Sequence, residues 1–267
     1  MIRLFKIDWY KNRGFKAFWI LMGLYFLALA VSASVGIEFL RWLDRLGAEF
    51  DFDVFKIPLY HFSDIWQNVT YFILFFKFVP GIVIVINITN EYSYKTIRQN
   101  IIDGLDRWDF LKSKLMTILF LATAASLFVF LVILITGIIY TPPEDMRFMF
   151  KHSEFILGFF LETSAFMLFA LLIGTLVKRS GLAIGMLFLY TLMIEPLISF
   201  NLNEKIEWLG DYFPIRAINN IIKVPYQRYF FLEIRDYITI ESVFVLLIYC
   251  ALFVYLTYLL LKKRDLQ

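Results

Sequence analysis

Six stretches of about 20 mostly apolar residues, each long enough to cross a hydrocarbon layer of roughly 30 Å as a helix, restrict what this 267-residue chain can become. They run over 18–37, 69–88, 115–140, 155–177, 181–200 and 242–261, and the first, third and sixth contain no Lys, Arg, Asp or Glu. The runs are continuous rather than alternating, which favours helices over a β-barrel, and a backbone in lipid must satisfy its own hydrogen bonds. With 60% hydrophobic and only 18% charged residues, there is too little charge to cover a water-soluble domain of this size. The reading is an all-α integral membrane protein of six transmembrane helices in a single domain, 1–267.

Basic residues set the orientation. Fifteen Lys and Arg fall in the N-terminal tail, the segment between spans two and three, the turn between spans four and five (Lys178, Arg179) and the C-terminal tail; ten fall on the other side. That other side holds the longer loops and most acids, among them Glu49, Asp51, Asp53, Glu144 and Asp145. Both termini are therefore expected in the cytoplasm, with the chain in the cytoplasmic (inner) cell membrane. The basic start, the first apolar run and small residues at 28–30 and 32–33 resemble a signal peptide; the run is long enough to span, and the expectation is that it stays as span one.

Between the spans, 90–114 is the most informative stretch. Ile97, Ile101, Leu105 and Trp108 recur at helical spacing, with Lys95, Gln99, Asp103, Asp106 and Arg107 mostly on the other face. Asp103-Gly104 is a turn signal, and Asp106 is placed to N-cap a helix continuing into span three. The prediction is a short amphipathic helix, a sharp turn, and a third span that starts outside the membrane. A basic loop lying on anionic lipid and a docking helix for a soluble partner both fit this pattern. Residues 1–17 form a basic segment broken at Asn12-Arg13-Gly14, expected as an interfacial helix. In the outer segment 201–241, Pro214 suits a first helical position ahead of apolar residues 215, 218, 221 and 222, which predicts a short helix at or dipping into the outer membrane surface.

Three ionisable residues lie within spans: Lys77, Glu162 and Glu195. A charge in lipid costs at least ~2.5 kcal/mol, so these side chains should face protein or water. Lys77, midway along its span, is the best candidate for a buried partner; Glu195 is expected near enough to the interface to be hydrated. Pro80-Gly81 should kink span two, and Gly181/Gly185 at small-xxx-small spacing predicts close helix packing. The chain carries no phosphate-loop, H-E-x-x-H or G-x-S-x-G pattern, so it is not read as an enzyme. Cys250 and the separate His61 and His152 offer no metal-ligand spacing, and no aromatic-lined basic groove for nucleic acid is apparent.

Glu91, Thr96 and Arg98, then Gly104-Leu105-Asp106-Arg107, then Phe110-Leu111 and Lys114 resemble the junction between spans two and three in the membrane subunits of type-2 ABC exporters, with Asp106-Arg107 where Ser-Arg is usual. The basic helix before span one, the minimal turn Val177-Lys178-Arg179-Ser180-Gly181 and the Tyr212-Phe213-Pro214 excursion match in order. The resemblance implies a permease exporting an amphipathic or hydrophobic substrate. It also implies a second permease copy as dimer partner, and separately encoded ABC ATPase subunits that bind ATP and Mg, with no cofactor in this chain. Residues 96–102 would be the coupling helix, with Glu91, Thr96, Ile97, Arg98, Ile101, Gly104 and Arg107 as ATPase-coupling residues, Glu91 and Arg98 holding the helix to the ATPase or to the N-terminal helix. Pro214, Ile218 and Ile222 would stand at the outer gate. The rival expectations are an ion-coupled secondary transporter or channel using Lys77, Glu162 and Glu195, and a membrane anchor or assembly protein without transport.

Overall fold

A computed structural model describes residues 2–45, 60–62, 64–102, 104–206, 208–225 and 236–263, with side chains undescribed at 2–5, 7, 34–45, 98 and 101. The outer acids Glu49, Asp51 and Asp53, the turn residue Asp103, and the side chains of Arg98 and Ile101 thus lie outside what it describes. All regular elements among the described residues are helical. In chain order they are α1 (Ile2–Gly14), α2 (Lys16–Arg45), α3 (Ile65–Ile73), α4 (Phe78–Ser93), α5 (Thr96–Ile102), α6 (Arg107–Tyr140), α7 (Phe155–Val177), α8 (Ser180–Leu189), α9 (Glu195–Asn203), α10 (Pro214–Asn219) and α11 (Ile240–Lys263). Six helical segments are long and apolar enough to cross a membrane: α2, α3 with α4, α6, α7, α8 with α9, and α11.

Span four, α7, is the axis of the bundle and packs against α4, α6 and α11. It is 67% buried, against 22% for span five and 17% for span six, which leaves those two peripheral. Small residues bring α7 and α4 together. A Cβ on Gly174 would stand 2.4 Å from Ile88, and one on Gly81 would stand 2.8 Å from the Phe166 ring. Each helix therefore gives up a side chain where the other needs room. Next to this contact, Phe78 stacks on Phe188 with ring centroids 4.7 Å apart and meets Phe166 edge-on at 5.0 Å. Such pairs add ~0.5–1.5 kcal/mol beyond the area they bury.

Span two is irregular one turn earlier than Pro80-Gly81 themselves. Residues Leu74–Lys77 tighten into a 3-10 turn and α4 continues through the proline. Pro80 has no N–H for the Phe76 carbonyl and its ring crowds that carbonyl, so the disturbance falls on the preceding turn. Span five behaves similarly. Tyr190–Ile194 form a π-turn between α8 and α9, just ahead of Pro196, whose missing N–H leaves the Leu192 carbonyl without its helical donor. The small-residue pair of span five departs from expectation: no atom lies within 4 Å of where a Cβ on Gly181 or Gly185 would sit. Nothing within the described chain packs on that face.

The short elements have physical ends. α5 is bracketed by two residues of positive φ, Lys95 at 55° and Gly104 at 89°. The Leu105 N–H donates to the Asn100 carbonyl at 2.9 Å, the six-to-one bond that closes a helix through a left-handed residue. α6 starts at Arg107, well ahead of the apolar run, with its amide donating to the Asp106 carboxylate at 2.8 Å. α7 ends on Lys178 at φ 63°, and only Lys178 and Arg179 separate it from α8. The outer helix is shorter than its apolar pattern implies. α10 stops at Asn219, yet Ile215, Ile218, Ile221 and Ile222 are all buried. The chain bends there because both asparagines are held elsewhere, Asn219 by Lys77 and Asn220 by the Asp211 carbonyl.

Candidate functional site

Four basic segments meet at one end of the bundle. Lys11 reaches Glu91, a guanidinium nitrogen of Arg107 donates to the Lys262 carbonyl at 2.7 Å, and the Lys178 ammonium lies 5.2 Å from the centre of the Tyr92 ring. The N-terminal helix, the 94–106 junction, the α7–α8 turn and the end of α11 therefore share a side. At the opposite end, the Trp66 indole donates to the Met149 carbonyl and the Gln67 amide to the Lys223 carbonyl.

The basic end has a buried core of its own. The Lys114 ammonium donates to Asp8 at 2.9 Å, Glu91 at 2.9 Å and Asn87 at 2.7 Å. Lys11 donates to both Glu91 oxygens at 2.9 and 3.0 Å, and the Thr96 hydroxyl closes on the second of them. Thr117 donates to Asp8, and the Asn87 amide to Asn12. Asp8, Glu91 and Lys114 are all nearly inaccessible, and only Lys11 keeps contact with solvent. Two carboxylates face two ammoniums, so the cluster is neutral. Removing one member would strand a buried charge.

This cluster fastens α5 to the bundle. Glu91 ends α4, Thr96 opens α5, Asp8 and Lys11 come from α1, and Lys114 from α6. Ile97 is 3% exposed and turned inward, so it holds α5 down rather than meeting a partner, because the apolar face of a short amphipathic helix packs on the protein that carries it. Among the described side chains of this stretch, Tyr94, 73% exposed, and Ile102, 75% exposed, are apolar groups that point outward. Gly104 supplies the turn, and Arg107 reaches α11 instead of pointing away. Sequence reasoning placed Glu91 and Thr96 here but passed over Asp8, Lys11, Asn12 and Asn87. One signal was available: Asp8 is the single acid in the basic segment 1–17.

Toward the opposite end, the three ionisable span residues separate into two groups. Lys77 donates to Glu162 at 2.6 Å and to the Asn219 side chain at 2.6 Å, linking span two, span four and α10. The Phe166 ring lies 5.5 Å from the same ammonium. Glu195 is fully buried rather than hydrated. Its carboxylate accepts the Arg216 N–H at 2.7 Å, receiving a free amide in the first turn of α10. This contact is why a carboxylate five residues before the end of its apolar run lies inside: α10 folds back over it. Pro214 occupies the first position of α10, while Ile218 and Ile222 are buried beneath it. Nearby, the Tyr212 phenol donates to Glu241, which holds its pKa above the ordinary value.

A cleft of about 760 Å³ opens between span two, the π-turn of span five and α10. Lys77, Glu162, Thr191, Arg216, Asn219 and Lys223 line one part of it, and Phe72, Phe75 and Leu192 line its exposed apolar wall. A family model described as "ABC-2 family transporter protein" matches residues 49–259, from beyond α2 almost to the end of α11. No curated protein matches the chain.

Proposed function

We propose, from the premise that this chain belongs to the ABC-2 family of transporter proteins, that it is the permease half of an ATP-driven exporter. In this reading it moves an amphipathic or hydrophobic substrate outward across the cytoplasmic membrane. The energy comes from separate ATPase subunits bound to its basic, cytoplasmic end, and two permease chains enclose the path. The exposed apolar faces of spans five and six, with Gly181 and Gly185 open among them, suit a second permease copy as partner.

The observation that carries the reading is the buried Asp8–Lys114–Glu91–Lys11 cluster with Thr96. A docking helix can transmit motion only if it is rigidly attached to the spans it must move. Here α5 is attached to α1, α4 and α6 through charge-assisted hydrogen bonds in a low-dielectric setting, where such bonds are strongest. It still presents Gln99 and Ile102 outward, beside the exposed Tyr94 that precedes it. Closure of the ATPase pair would then push on α5 and move these elements as one body. Arg98 and Ile101 belong to the same proposed contact by their place in α5.

An ion relay through Lys77, Glu162 and Glu195 has less support. Lys77 and Glu162 neutralise one another, and Glu195 is committed to the first turn of α10. Replacing residues 96–102 with a Gly/Ser linker should leave six inserted spans while abolishing capture of the ATPase and stimulation of its turnover. Unchanged capture of the ATPase by that variant would remove α5 from the contact. Purified chain that never retains a Walker-type ATPase would remove the exporter reading altogether.

A further inference from the structure

We infer that the cleft between span two, the π-turn of span five and α10 is a binding site for an anionic amphiphile. Its charged head would sit against Arg216 and Lys223, and its tail along Phe72 and Phe75. As a statement about cargo this rests on the permease reading; as a statement about binding it does not.

Three cationic side chains, Lys77, Arg216 and Lys223, line the cleft against one acid, Glu162. Lys77 is taken by Glu162 and Asn219, while Arg216 and Lys223 line the space with no side-chain hydrogen bond to an acid among the described residues, Arg216 being also attracted by the neighbouring Glu195 carboxylate. Two buried polar atoms point to a polar ligand. Glu162 is 2% exposed and Thr191 6% exposed, and neither Glu162 Oε2 nor Thr191 Oγ1 has a hydrogen-bond partner among the described residues. A threonine in a regular helix can bond the carbonyl one turn back; the π-turn displaces that register and leaves the hydroxyl for something else. An unsatisfied buried polar atom is costly, and both side chains belong to the lining of this cleft, so a small shift on binding would bring a hydroxyl or amine of the head to them.

The other wall is apolar and open. Phe72 is 53% exposed and Phe75 70% exposed, on helical segments that would face hydrocarbon. Basic pockets between membrane helices on the cytoplasmic side accept anionic headgroups, and the same pairing of cations with an apolar wall occurs here toward the opposite end. The same chemistry is offered by a phosphate-bearing lipid and by a soluble phosphate, and the size of the apolar wall favours the former.

The test uses the full chain, purified without any ATPase into mixed phosphatidylglycerol and phosphatidylcholine, with retained lipid counted by native mass spectrometry. Wild type should retain phosphatidylglycerol about tenfold over phosphatidylcholine, a factor equal to ~1.4 kcal/mol. Lys223→Gln and Arg216→Gln should each bring the ratio close to parity. Lys223→Arg and Lys151→Gln, the latter outside the cleft, should keep it, which separates loss of the site from loss of the fold. Displacement of the lipid by inorganic phosphate would support a site that reads the head alone; resistance to it would support a site that also reads the tail. Equal retention of the two lipids by wild type, or a preference that survives both Gln variants, would overturn the inference. Failure to capture an ATPase in the separate co-purification would count against the permease reading and leave lipid retention as measured.

Discussion

Three acceptors converge on the Lys114 ammonium, from α1 and α4, and two of them are carboxylates. Lys114→Met should therefore leave Asp8 and Glu91 buried with only Lys11 nearby, at a cost of ~3–5 kcal/mol, read as a lower thermal midpoint of the purified protein. Protease sites near the α4–α5 turn should open first, since Thr96 and Lys11 both hold on through Glu91. The lysine was visible in the sequence as the last charge before an apolar run, and the resemblance to type-2 exporters included it. Its acceptors were not, because Asp8 is 106 residues away and Glu91 is 23. The same limit applies to Lys77: its need for a partner followed from its place mid-span, but the choice of Glu162 over Glu195 depends on how spans four and five are set around span two.

At the scale of elements, local chemistry ends each helix and small residues set how closely helices approach. Gly104 closes α5 through its positive φ and Asp106 opens α6, both legible because turn and cap signals act over a few residues. The proline effects were legible as to presence but displaced in position, since a missing N–H disturbs the turn that precedes it. Close approach is a different matter. Gly174 and Gly181 look alike in sequence, yet one lies against Ile88 and the other faces open space. Gly174→Leu should overpack the α4–α7 contact by ~1–3 kcal/mol, seen as earlier thermal aggregation in detergent. Gly181→Leu should leave the melting of the isolated chain unchanged and weaken only the association of two copies, as read by the mass of the purified particle.

At the scale of the whole molecule, six spans and a shared basic end form a polarised object, with an ionic cluster fastening α5 at one end and a cleft bordered by α10 at the other. The proposed orientation is open to a direct check. In a chain with Cys250 replaced by Ala, a cysteine at Lys112 should react with a membrane-impermeant maleimide only after the membrane is opened, and one at Lys151 should react in intact cells; the reverse pattern would invert the topology. The number of spans, their helical nature and the segregation of basic residues were determined by the sequence itself, because burial of backbone in lipid is decided by the apolarity of about 20 consecutive residues and needs no distant partner. Which charges meet was decided only in the tertiary structure. Asp8, Glu91 and Lys114, and likewise Lys77, Glu162 and Asn219, come from segments far apart in the chain, and no local pattern encodes how α7 brings their helices together. The buried state of Glu195 has the same origin: its hydrophobic surroundings were readable, but the outer helix that folds over it was not.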